Sequence, residues 1–518
     1  MLNKRSLTLS LLALLFSFSL YAQKTISFSR GIPEKEGVSA AAIDSFLNAT
    51  KGGAHEFHSF MFIRHGKVIA QGWWNPYKAT LRHSLYSTSK SFTSTAIGFA
   101  VSEKRLTVND KVISFFPTSV PDSVKPYLAQ LTVKNLLTMS VGQTPDPTSV
   151  IPFTAVNWVK TFLATPIVNQ PGTKFLYNTM ATYMLSAIVQ KVTGQKEFDY
   201  LKPRLFDPLG IKDADWETSD EGINTGGWGL RLKTEDMAKL GELYLHKGMW
   251  NGKQLLPAEW VDEATTFKID QAPGVAQSKK DSSDWMQGYC YQFWRCRHNA
   301  FRADGAFGQY IIVMPDEDAV IAITSESPDM QGELNLVWKY LLPAMHTGEL
   351  PKNDAADDSL NQHLAALNLS PLPDFSKRNN AIPTYKSRTF LFQPNSANIT
   401  SITFSIANNI CHVVLKKDSA IYSLNFETGR WVSGTTDMPG PSLLTGAKEN
   451  ISFLKPYKIE GSYGWQDNQT LKLKLRYIES PHSETITCHF TGDILNAVIE
   501  NSFDYGKKKI ELNGVLAK

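Results

Sequence analysis

Cysteine is sparse, four residues in 518, so at most two disulfides can form. Cys290/Cys296 and Cys411/Cys488 are the simplest pairs because each stays within one expected domain, and free buried thiols are the alternative. None of the four lies near Ala22, which argues against a lipid-anchored amino terminus. Long apolar runs are missing beyond Leu20, which excludes an integral membrane segment after that point. Charge of one sign is also lacking: a net +4 over this length leaves no basic stripe for nucleic acid. There is no solenoid-type repeat. The H-E-x-x-H spacing of a helical metal site is absent. His55-Glu56-Phe57-His58 sets two histidines three apart without an evident third ligand, so no metal is expected.

What the chain does have begins with Lys4 and Arg5, the apolar run Leu7 to Leu20, and a small residue at Ala22. Residues 1–22 read as a secretory signal peptide, so the protein is expected to be secreted or periplasmic. Leu20 occupies the place where a second small residue would normally mark the cut. With 42% hydrophobic and 20% charged residues the remainder is ordinary globular material, long enough for at least two domains.

The stretch FMFIRHGKVIAQGWW, residues 60–74, predicts two strands joined at His65-Gly66. Helices follow, with Thr132 placed to cap one carrying Leu136 and Leu137. Thr234 is placed to cap another carrying Met237, Leu240, Leu243 and Tyr244, with Gly248 ending it. Two further strands, Tyr310 to Met314 and Ala319 to Thr324, meet at a Pro-Asp turn. Strands at both ends with helices between them predict an α+β domain over residues 23–348, its antiparallel sheet flanked by helices. Residues 349–384 read as a linker with one short amphipathic segment holding Leu360, Leu364 and Leu367. From 385 to 518 the period becomes two: Leu471, Leu473 and Leu475 alternate with Lys472, Lys474 and Arg476. Ile486, Cys488 and Phe490 alternate with Thr487 and His489, which predicts a small all-β sandwich or barrel.

Chemistry concentrates in LRHSLYSTSKSFTSTAIGFAV, residues 81–101, where Ser87 and Lys90 stand one helical turn apart. A serine hydroxyl is a weak nucleophile until a base takes its proton. A lysine serves only when neutral, which needs a shift of roughly 3 units, or ~4 kcal/mol, from burial and neighbouring cations. One turn of spacing points both side chains into one cleft, with the Ser87 amide free to meet a developing oxyanion. S-x-x-K alone is a common pattern, and by itself it reads rather as a capped helix start with a solvated lysine.

Longer segments extend the pattern. YSTSKSFTSTAIG, LTVKNLLTMSVG, PGTKFLYNTMATYMLSAIVQKVTG, GGWGLRLKTEDMAKLGELYLHKGMWNGKQLL and RADGAFGQYIIVMPDEDAVIAITS occur in this order between Gly31 and Leu342. Together they resemble the serine β-lactamase and penicillin-binding-protein superfamily, especially its class C-like esterases, D-aminopeptidases, carboxypeptidases and amide hydrolases. The resemblance implies a β-lactamase-like fold with a helical subdomain, and hydrolysis of a small-molecule ester or amide, or a cell-wall peptide, without cofactor. It makes Ser87 the acylated nucleophile, Lys90 the first-step base and Tyr177 the proton shuttle. A phenol beside lysine cations is expected to ionise below its usual ~10. Gly305 matches the glycine of the closing strand, and the Ala306 amide the second oxyanion donor.

Two positions depart from the family pattern. Thr179 stands where the Y-x-N element usually has Asn, with Asn178 beside it as a substitute contact for a substrate amide. Ala303-Asp304-Gly305 replaces K-T-G or H-x-G, so the cation that would clamp a substrate carboxylate is missing; Arg295, Arg297 and Arg302 are nearby candidates that read as surface residues. Esters and small amides do not need that clamp. The same departures support a second reading, a sensor or cell-wall-binding ectodomain that acylates once or only docks its ligand. A third gives the β-rich domain a separate anchoring role, so that deleting it from Tyr385 onward spares ester cleavage. His83 is expected to be structural, Cys296 to pack or pair, and Trp73, Trp74, Trp285 and Trp294 to line a cleft or fill a core.

Overall fold

The structure, a computed structural model, describes residues 27–51, 55–149, 157–373, 387–443, 456–504 and 506–518. The signal-peptide segment 1–22 lies outside the described residues, as does the end of the expected linker. Among them, no helix is long and apolar enough to cross a membrane.

The hairpin expected at His65-Gly66 forms from strands Glu56–Arg64 and Lys67–Trp73. Both turn residues have positive φ, 50° and 71°, the backbone that matches the twist of paired strands. These strands lie in a seven-stranded sheet, ordered Ser29–Arg30, Lys67–Trp73, Glu56–Arg64, Ala319–Glu326, Gln309–Met314, Phe301–Gly305 and Trp294–Arg295. Apart from the first pairing, which is parallel, the neighbours are antiparallel.

The central strands are buried on both faces, which is why they read as unbroken apolar runs rather than alternations. Phe60, Phe62, Ile312, Ile321 and Ile323 feed a core beneath helices Ala40–Ala49 and Met330–Leu336. Met61, Ile63, Ile311, Val313, Val320 and Ala322 feed the opposite core, shared with helix Thr234–Leu245 and the helical subdomain. Thr132 caps its helix as expected, in a capping box with Asn135. Thr234 does not: Lys233 holds the cap position, and the Thr234 hydroxyl instead donates to Ser59 Oγ at 2.7 Å, tying helix to sheet.

The amphipathic piece of the expected linker is a full helix, Asp354–Ala366, that docks on Ala40–Ala49 with Leu360 buried and His363 Nδ1 2.6 Å from Asp44. Beyond it, ten strands form one sheet from Arg388 to Leu516. A parallel pairing of Glu427 and Thr428 with Ser462 and Tyr463 closes that sheet into a barrel. Leu471, Leu473, Leu475, Ile486, Cys488 and Phe490 fill its interior, as their alternation requires. All four cysteines are free and buried, so neither disulfide pair forms.

Candidate active site

Ser87 sits in the one-turn helix Tyr86–Thr88, which runs directly into helix Ser89–Ser102. That second helix is buried along its whole length from Ser89 to Ala100, although it is rich in hydroxyl residues. Each hydroxyl needs a partner in such a place, and most find one in neighbouring backbone. Ser91 donates to Gln292 O at 2.8 Å, Thr93 to Gly226 O at 3.0 Å and Thr95 to Ser91 O at 2.8 Å. The helix is thereby held rigidly, and Lys90 with it.

Lys90 Nζ donates to Ser87 Oγ at 3.0 Å and to Gly227 O at 2.7 Å. The lysine is 1% exposed. Burial brings its ammonium down to about 7, while Asp146 and Asp304, acting through space, oppose that shift. Gly227 is needed for the contact: an added Cβ would lie 2.7 Å from Thr179 Cγ2 and 3.4 Å from Lys90 Nζ.

Tyr177 lies just before helix Thr179–Thr193, its phenol hydrogen-bonded to Ser87 and its ring centroid 4.9 Å from Lys90 Nζ. Trp294 stacks on that ring at 5.6 Å, and Tyr289 meets it edge-on at 6.3 Å. Burial pushes the phenol up, and the hydrogen bond to Ser87 only partly offsets this. The expected lowering of Tyr177 is therefore corrected: the lysine that was to stabilise a phenolate is itself close to neutral.

The closing strand Phe301–Gly305 comes down on the turn that carries Ser87. Thr88 Oγ1 donates to Gln309 O at 2.7 Å, and a Cβ on Gly305 would come within 2.2 Å of Leu85 O. Only glycine permits that approach, which brings Ala306 to the nucleophile turn. Gln309 Nε2 donates to Ala306 O at 3.0 Å, steadying the loop.

The departures from the family pattern have structural reasons. Asn178 does not serve a substrate amide: it is 1% exposed, its oxygen caps the helix at Ala181 N, and its amide donates to Gln143. Thr179, the first helical residue, is half-buried beside Gly227. Asp304 is bonded to Arg302 Nε at 2.7 Å, two positions back on the same strand face. Arg302 is not a surface residue but fully buried, packed over Trp285 and Trp294 at 4.4 and 5.5 Å. Arg297 pairs with Asp284, and Arg295 donates to Asn299. None of the three arginines replaces the missing clamp.

The histidine features are accounted for elsewhere. His58 Nδ1 lies 3.1 Å from His83 Nε2, its Nε2 3.2 Å from Glu56, and His83 Nδ1 3.0 Å from Ser84 O. His55 Nδ1 is 2.9 Å from Ser327 Oγ. Trp74 belongs to the core behind the sheet.

The Beta-lactamase family model matches residues 48–343, more than half of the chain and every segment just described. The chain belongs to the beta-lactamase family. Its members are serine hydrolases of amide or ester bonds, and this chain is one of them. It is 25% identical over 294 residues to the 6-aminohexanoate-dimer hydrolase of Paenarthrobacter ureafaciens, covering 52% of this chain and 73% of that one. It is 26% identical over 242 residues to a provisionally named D-alanyl-D-alanine carboxypeptidase of Escherichia coli (strain K12), covering 40% of this chain and only 55% of that protein. In fold it is similar to a provisionally named 6-aminohexanoate-dimer hydrolase from Bacillus anthracis, with a TM-score of 0.51 at 20% identity over 63% of this chain and 89% of that one.

Two residues of this beta-lactamase-family site were not singled out from sequence. Gly227 lends its carbonyl to Lys90, and the only sign of it is the Gly-Gly pair in NTGGWG. The Gln292 side chain donates to Leu136 O and Leu137 O and accepts from Thr182, while its backbone carbonyl accepts from Ser91, joining three site segments at one residue. Nothing in its local sequence marks it.

Proposed function

We propose that the protein hydrolyses an ester or small amide through an acyl-enzyme on Ser87. Neutral Lys90 accepts the Ser87 proton as Oγ bonds to the substrate carbonyl carbon, and the amides of Ser87 and Ala306 receive the oxyanion. Collapse of the tetrahedral species breaks the bond to the alcohol or amine, and the proton on Lys90 passes through the Tyr177 phenol to that leaving group. Lys90 is then neutral again. Water attacks the acyl carbon and gives a proton to the same pair, which returns it to Ser87 Oγ as the acyl–oxygen bond breaks, releasing the acid and restoring Ser87 and neutral Lys90.

The observation that carries this reading is the convergence of Lys90 Nζ and the Tyr177 phenol on one serine oxygen, with the lysine buried down to about 7. Because Arg302 is held by Asp304, Arg297 by Asp284 and Arg295 by Asn299, none of the three is free to clamp a carboxylate, and the acyl partner is one that needs no such clamp. Activated esters and amides of uncharged or amine-bearing acids fit better than D-Ala-D-Ala ends or β-lactams. Purified protein incubated with a p-nitrophenyl ester should release many equivalents of nitrophenol, and Ser87→Ala should release none. A single-equivalent burst without turnover supports the sensor reading instead. The leader-like residues 1–22 support export, which the mass of chain recovered outside the cytoplasm tests.

A further inference from the structure

The barrel touches the site from behind. Tyr86, immediately before the nucleophile, and Phe307, immediately after Ala306, are both non-glycine residues in the left-handed region, with φ of 48° and 67°. Such backbone persists only where surroundings hold it. The two flank the proposed oxyanion donors, and one side chain contacts both.

That side chain is His482, at the barrel end of strand Ser483–Thr491 and 0% exposed. Its Nε2 lies 2.5 Å from the Tyr86 hydroxyl and its Nδ1 2.6 Å from Glu326 Oε1, at the end of a central strand of the main sheet. A carboxylate at Nδ1 keeps a proton on that nitrogen and leaves Nε2 to accept from the phenol. The imidazole meets Phe307 edge-on at 4.8 Å, and Phe503 of the barrel covers both rings at 4.8 and 6.0 Å. The Tyr86 phenol also meets Ser442 and the Leu443 backbone, again from the barrel. The Glu326 carboxylate is held a second time by Ser502 Oγ at 2.7 Å.

Around this point the two parts interlock. Arg476 grips Glu56 with two bonds of 2.6 and 2.9 Å, Glu479 receives Arg82 and Arg231, and Tyr77 donates to Ser480 O at 3.1 Å. Ser84 N, three residues before the nucleophile, donates to Glu479 O at 2.9 Å. A separate anchoring module would not bury its loop against a nucleophile turn.

We infer that the barrel completes the active site: His482, held by Glu326, is a positioning residue that fixes Tyr86 and Phe307 and so aims the Ser87 and Ala306 amides at the oxyanion. The inference rests on the hydrolase reading above. It reverses the expectation that the β-rich part can be removed with ester cleavage spared.

The test uses the full chain and p-nitrophenyl butyrate. His482→Ala should lower kcat about a hundredfold, with KM within threefold, because oxyanion alignment matters in the transition state rather than in binding. Tyr86→Phe, which removes the same bond with less disturbance, should lower kcat about tenfold. The double variant should be no slower than His482→Ala alone, since both act through one contact. His482→Gln, whose amide can reach the Tyr86 hydroxyl, should recover part of the loss. Tyr77→Phe loses a bond at the same interface without touching Tyr86 or Phe307, and should keep wild-type kcat. If His482→Ala does not fold, Tyr86→Phe and His482→Gln still read the contact. Undiminished kcat in folded His482→Ala, or an equal loss in Tyr77→Phe, overturns the inference while leaving the hydrolase reading intact. A wild-type chain with no Ser87-dependent turnover overturns both.

Discussion

Lys90 and Arg302 are both buried, at 1% and 0% exposed, one over the Tyr177 ring and the other over the Trp294 ring that stacks on it, yet burial leaves them in opposite states. Lys90 has only neutral hydrogen-bond partners, Ser87 Oγ and Gly227 O, so the cost of an unpaired buried charge falls on its proton and brings it to about 7. For Arg302, burial likewise opposes the charge. Cys296 Sγ at 3.2 Å and Asp304 at 2.7 Å outweigh it and push the guanidinium up. One cation can surrender a proton; the other is locked into a pair. The difference lies in the partner, since desolvation is shared, and it separates the base of the site from its scaffold.

The comparison breaks most severely if the first cation is made like the second. Lys90→Arg cannot become neutral near pH 7, and kcat should fall by ~10³ or more, the upper part of the range for general-base loss. Steady-state assay with an activated ester checks this. Unpairing the second cation is the next largest change. Asp304→Asn leaves Arg302 buried without its carboxylate and should destabilise the fold by ~3 kcal/mol, read as a lower thermal midpoint. The same variant removes a charge that favours the Lys90 ammonium, so the pH profile of acylation should move to lower pH. Tyr177→Phe keeps the ring stacked on Trp294 but ends the proton route, and kcat should fall about a hundredfold for amides and less for activated esters. Thr179→Asn, which restores the family residue, should change ester kcat by less than about threefold, because Thr179 is tied to neither cation. Its effect should appear on amide substrates.

The parts of this site that lie close in sequence were legible there. Ser87 and Lys90 are one turn apart, so helical spacing alone places them in one cleft, whereas Tyr177, far along the chain, came only from the family resemblance of the Y-x-N-like element. The apolar runs of the central strands and the strict alternation after Tyr385 gave the two sheets their character, though not the closure of the second into a barrel. That closure depends on one short parallel pairing, of Glu427 and Thr428 with Ser462 and Tyr463, which no local pattern marks. The Arg302–Asp304 bond had a local signature, two opposite charges at period two on one strand, but a buried pair looks like a surface pair until the aromatic rings above it are placed. Asn178 looked like a substrate contact because the donor to its capping oxygen, Ala181 N, is a backbone atom that composition does not reveal. His482 lies hundreds of residues from Tyr86 in the chain, and only the docked barrel brings the two together.

The most direct test of the lysine's state is the pH dependence of Ser87 acylation, followed in single-turnover mixing with p-nitrophenyl butyrate between pH 5 and 10. Since the active form of Lys90 is unprotonated and its folded value is about 7, the acylation rate should climb tenfold per pH unit below that point and level off above it. A rate that keeps climbing to pH 10, as an ordinary lysine would give, contradicts a buried neutral base at this position.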